Sequence, residues 1–89
     1  MFVSVVHHVK DPEKFWQAAE EVVPNLPEGV RLHETYPSAD GTRAVCLWEA
    51  DGIDPVRALL EDAAAGLADN EYMEIDAAKA AGLPQPQLS

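Results

Sequence analysis

The chain has 89 residues, 6 Lys and Arg against 16 Asp and Glu, a formal net charge of −10 and one cysteine. The acidic balance argues against nucleic acid or an anionic membrane as partner, since both demand a clustered positive surface. A lone cysteine excludes an internal disulfide and makes a reducing cytoplasm the expected location.

A chain this short buries only about 60–65% of the surface its unfolded form exposes, so its core is thin and a partner copy is the expected supplement. No apolar run approaches the roughly 18 residues needed to cross a bilayer, and the N-terminus lacks the pattern of a secretory signal.

Phe2-Val3-Ser4-Val5-Val6-His7-His8-Val9 is rich in β-branched residues and reads as a buried strand. Asp11-Pro12-Glu13 then supplies an N-cap acid, a proline in the first turn and an acid at the positive end of a helix dipole. Phe15, Trp16, Ala19, Val22 and Val23 fall on one helical face, and Pro24 with Pro27 ends it.

Val30 to Tyr36 alternates with period two and predicts a second strand. Pro37 to Thr42 is turn chemistry centred on Asp40-Gly41, and Arg43 to Ala50 is a third strand, so the two strands form a hairpin. Asp54-Pro55 repeats the helix-start device ahead of an apolar stripe through Val56, Leu59, Leu60, Ala63 and Leu67. A fourth strand is expected over Glu71–Asp76.

The order βαββαβ is the split βαβ, ferredoxin-like α+β arrangement: a four-stranded antiparallel sheet with two helices on one face. Residues 1–80 form this domain and 81–89 a proline-punctuated, extended tail.

Side chains alternate along strands, so pairing the aliphatic faces puts Val30, Leu32, Val45 and Leu47 under the helices with Val3 and Val5. Phe2, Val6, His8, Arg31, His33, Thr35, Cys46 and Trp48 then occupy the uncovered face. That face is too apolar for water, and a second copy is its economical cover. Two sheets closing into a barrel would enclose His8, His33, Cys46, Trp48 and Tyr72.

The strand order and the hairpin residues Val30-Arg31, Pro37, Asp40-Gly41 and Cys46-Leu47-Trp48-Glu49-Ala50 resemble the dimeric α/β-barrel superfamily. Within it the chain is most similar to small actinobacterial proteins that include a nickel-binding type. The resemblance implies a homodimer with a ligand or metal site in or near the barrel, His8 with Asp11 loosely matching the nickel type. The superfamily also contains cofactor-independent monooxygenases, isomerases and haem proteins. Haem members are longer than this chain.

Three readings of the candidate residues follow. His8 and His33, two strands apart and so about 9–10 Å from each other, with Cys46 between them, form an N/S donor set suited to nickel or another divalent transition metal. Alternatively His33 is a general base, with His8, Trp48 and Tyr72 packing an aromatic or unsaturated substrate. In the third reading the same residues are satisfied core groups of a non-catalytic interaction subunit. His7 and His8 point to opposite faces, and one of them belongs under the helices as a hydrogen-bonded structural histidine. No glycine-rich phosphate loop or other flavin or nucleotide signal occurs.

Overall fold

The computed structural model describes residues 1–88; Ser89, the last residue of the expected tail, lies outside them. The elements are β1 (Phe2–Val9), α1 (Pro12–Val22) with a 3-10 turn at Val23–Asn25, β2 (Arg31–Pro37), β3 (Arg43–Glu49), α2 (Ile53–Ala63) and β4 (Ala68–Glu74). All strand pairings are antiparallel in the order β2-β3-β1-β4, so the expected βαββαβ sheet is present with β1 at its centre.

Asp11 caps α1 as its residue type predicts, its carboxylate accepting from Lys14 N at 3.2 Å. The second Asp-Pro pair works differently. Helix α2 starts at Ile53 with Gly52 in the cap position, and Asp54 lies inside the first turn, where it accepts from Arg57 Nη1 at 3.4 Å. Pro55 is tolerated there because first-turn amides have no partner within the helix.

Strand β4 begins three residues earlier than expected and ends at Glu74. Its first residues, Ala68-Asp69-Asn70, carry little strand propensity. Pairing with β1 enforces the conformation, from Val9 opposite Ala68 to Val3 opposite Glu74.

The face assignment holds for β1 and reverses for β3. Val3 and Val5, both fully buried, lie under the helices as expected, joined by His7, which packs on Phe15 of α1 at 5.2 Å between ring centroids. Opposite them on β3 stand Trp48, Cys46 and Ala44, so these three, and not Val45 and Leu47, face the helices. The reason is size. Burying Trp48 removes more apolar surface from water than burying either Val45 or Leu47 alone would. Val56 and Leu60 of α2 complete the core, with Leu32 and Tyr72 packed at its margin.

Strand β2 breaks its alternation at His33. Leu32 pairs with Trp48 and Glu34 with Leu47, leaving His33 as the extra residue of a bulge. Leu32 and Thr35 consequently both face the helices, while Arg31, Glu34 and Tyr36 share the open face with Glu49, Leu47 and Val45.

After β4 the chain turns and runs without helix or strand from Leu83 to Leu88. It returns to the end of β3, where the amides of Gln87 and Leu88 donate to the Glu49 carboxylate at 2.9 and 3.2 Å.

Candidate functional site

The sheet divides the five expected site residues between its two sides. Cys46, Trp48 and Tyr72 belong to the helix side, while His8 and His33 belong to the open side. The metal set His8, His33 and Cys46 therefore does not converge within one chain. His8 lies opposite Arg43, whereas His33 lies beside Leu47 and Trp48, so the histidines are also about 15 Å apart along the sheet. Counting only strands across the sheet, as the sequence reading does, omits this displacement. Among the described residues no group of three or more His, Cys, Asp or Glu side chains is arranged to hold a metal ion.

On the open side, His8 is partly exposed with Nε2 3.5 Å from Glu71 of β4. His33 makes a tighter pair: Nε2 is 2.8 Å from Glu49 Oε1, and both side chains are buried. Phe2 packs on the His33 ring at 5.4 Å between centroids. Burial of Glu49 disfavours its charge, but the Gln87 amide, His33 and the Leu88 amide outweigh that and hold the carboxyl below its usual range. Its partners come from His33 and from the returning tail, and the return of the tail leaves no signal in composition or spacing.

On the helix side, a cavity of about 90 Å³ lies between α1, α2 and the sheet. Its walls include His7, Phe15, Leu32, Thr35, Cys46 and Trp48. It adjoins a shallow apolar groove of about 490 Å³ between α1 and β2, sharing Trp16, Ala19, Val23, Leu32 and Thr35 with it. Only Phe15 of α1 is fully buried, and Val23 is 45% exposed, so the helix leaves this side of the sheet incompletely covered.

The polar atoms of this cavity wall are few. Cys46 Sγ donates to Thr35 Oγ1 at 3.8 Å, and burial pushes the thiol upward in pKa against the opposing effect of that bond. Trp48 Nε1 is fully enclosed and has no hydrogen-bond partner among the described residues. An unsatisfied buried donor costs about 1–3 kcal/mol, and native cores contain few of them.

From His7 a chain of hydrogen bonds leads to the surface. Asn70 Oδ1 accepts from His7 Nδ1 at 2.6 Å, Asn70 Nδ2 donates to the Tyr72 oxygen at 3.4 Å, and the Tyr72 hydroxyl donates to Glu61 Oε1 at 3.1 Å. The Arg57 guanidinium lies over the Tyr72 ring, 5.1 Å from its centroid. Burial pushes the His7 pKa down, partly offset by the Asn70 bond, so the imidazole is neutral at pH 7. The sequence places one of His7 and His8 under the helices, and the structure shows that it is His7, on the side of Val3 and Val5. Asn70 lies one residue before the expected fourth strand, and pairing with β1 brings it inside β4, opposite His7.

No family model matches the sequence, and no curated protein matches it. Among solved structures the chain is similar to SCO4226 from Streptomyces coelicolor A3(2), with a TM-score of 0.61 and 21% identity over 85% of this chain and 96% of that one. This likeness establishes the fold, a small ferredoxin-like α+β sheet with two helices on one face. No helix among the described residues is long and apolar enough to cross a membrane.

Proposed function

We propose that this chain binds a small, largely apolar molecule in the cleft between α1 and the sheet, and that two copies associate through the open faces of their sheets. The observation that carries the reading is an almost wholly apolar cavity, whose wall includes Trp48, continuous with an apolar groove between α1 and β2; the Trp48 N–H is enclosed behind this wall without a partner. The apolar body of a ligand is driven out of water into the cavity and the adjoining groove, and a ligand whose acceptor parts the wall to meet the indole N–H also relieves that donor's desolvation penalty.

Three further observations bear on the alternatives. The cavity, at about 90 Å³ under a third of the roughly 300 Å³ of a drug-sized site, restricts any ligand or substrate to a small ring that extends into the groove. His33, the expected base, is across the sheet from it. Metal coordination would need side chains from a second copy, since one chain assembles only the separate pairs His8–Glu71 and His33–Glu49. The residues expected to hold nickel do not fit that role within one chain.

Titration of ¹⁵N-labelled protein with cyclohexanone, a compact acceptor, tests the reading. The Trp48 indole resonance is expected to move and saturate at millimolar ligand, and Ala63→Phe, which fills the cavity, should abolish the change. An indole signal that stays fixed, or one that responds equally in the filled variant, overturns the proposal.

A further inference from the structure

The ring of His7 is buried, lines the cavity and is held by one edge only. Asn70 uses its amide oxygen on this ring and its amide nitrogen on Tyr72, whose hydroxyl proton is in turn directed at Glu61. Every donor in the series points the same way, from the cavity toward the surface carboxylate. An amide oxygen only accepts, so His7 Nδ1 carries the ring proton. In a neutral imidazole the other nitrogen, Nε2, is then a bare acceptor.

His7 Nε2 has no partner among the described residues, yet Trp48 Nε1 is the one side-chain polar atom there that is both unpartnered and fully enclosed. Nε2 therefore keeps some access, and the cavity is the space that His7, 2% exposed overall, is known to line.

We propose that His7 Nε2 is the specificity-determining acceptor of the cavity, selecting small apolar ligands that carry a hydroxyl. Asn70, Tyr72 and Glu61 are its positioning residues. This rests on the ligand-binding reading above and adds to it. A ligand with its own O–H donates to the imidazole nitrogen, which no ketone, ether or hydrocarbon can do. Molecules without that proton leave Nε2 desolvated and unpaired, which penalises them relative to alcohols and phenols of the same shape.

Phenol and toluene are nearly equal in size and differ in the donor, so their relative affinities isolate this contact. In the His7→Phe variant the preference for phenol over toluene should fall roughly tenfold against the wild type, the worth of one good hydrogen bond. Tyr72→Phe, which keeps the ring and removes a link, should lower the preference by a smaller factor. Independently of any ligand, ¹⁵N shifts of the His7 ring should report a proton on Nδ1 in the wild type and a mixture of tautomers in Asn70→Leu. A preference unchanged in His7→Phe, or a proton found on Nε2 in the wild type, overturns the role of His7. If both compounds bind the wild type equally well, His7 is not a selector but the ligand site stands. If neither binds and cyclohexanone also fails, the cavity reading falls, and this inference with it.

Discussion

His33 and Glu49 pair at 2.8 Å on the open face of the sheet, His33 standing two residues from Arg31, the β2 residue opposite Glu49. The imidazole belongs to the extra residue of the β2 bulge, and two amides from the distant tail supply the carboxylate's other partners. Three remote segments of the chain thus meet on one carboxylate.

A pH dependence follows from this meeting. The folded Glu49 carboxyl titrates below its unfolded value of 4.5, so its ionised form is favoured by folding. Its contribution is present in full above about pH 4.5 and is lost as pH falls through the lower folded value. Wild-type stability measured by urea unfolding should drop between pH 5 and pH 3. Glu49→Gln should be less stable at pH 7 by about 1–3 kcal/mol and show a flatter profile in that window.

The hairpin turn offers a second test. Gly41 has φ +76°, and its carbonyl accepts from Trp16 Nε1 at 3.3 Å, tying the turn to α1. A Cβ there would stand 3.5 Å from that nitrogen, so space is adequate and the backbone conformation is the obstacle. Gly41→Ala should lower stability by about 1 kcal/mol in thermal or denaturant unfolding, with the fold retained.

Leu60 is 8% exposed and belongs both to the core and to the cavity wall. Leu60→Ala should cost about 2–4 kcal/mol, because the sheet beneath it cannot collapse into the space it leaves. The same change enlarges the cavity, so the variant should bind a bulkier ketone than cyclohexanone more tightly than the wild type does, as read by the Trp48 indole signal.

The proposed association makes a separate prediction. Val45, Met73 and Tyr36 are 45%, 59% and 61% exposed, and Val45 and Met73 lie on the open face on either side of β1. Sedimentation should give about 19 kDa, twice the 9.7 kDa chain. Val45→Lys combined with Met73→Lys should give the monomer mass with an unchanged far-UV spectrum. A 9.7 kDa wild-type species at high concentration would remove the dimer from the proposal.

Cys46 supplies the last test. Its thiol is buried and its pKa raised, so disulfide reagents should modify it only as fast as the protein opens. Occupancy of the cavity should slow the reaction further. Rapid labelling of the native protein would contradict the placement of Cys46 beneath the helices.

Element order was legible because its signals are local: β-branched runs, Asp-Pro starts, Asp-Gly at the turn. Alternation also grouped Val3 with Val5 and Phe2 with His8, and the pairing of β1 with β3 decided which group lies under the helices. The site was less legible. Cys46 and Trp48 were assigned to the wrong face because Val45 and Leu47 are the more aliphatic pair. The deciding quantity was the area of one indole, together with the pairing of Trp48 with Val3 and of Cys46 with Val5. Thr35 changed sides because of a bulge at His33 that no spacing rule announces. The series from His7 to Glu61 joins β1, β4 and α2, and its members are neighbours only once the register of β4 is known.

The grip on Glu49 comes from main-chain amides and not from the side chains of Gln87 and Leu88. Almost any residue can therefore replace either one without releasing the carboxylate. Proline is the exception, having no N–H to give. The tail already holds proline at 84 and 86, immediately before the two positions where it would be harmful. A tolerance scan of this segment should accordingly look permissive everywhere except for that one amino acid at those two sites.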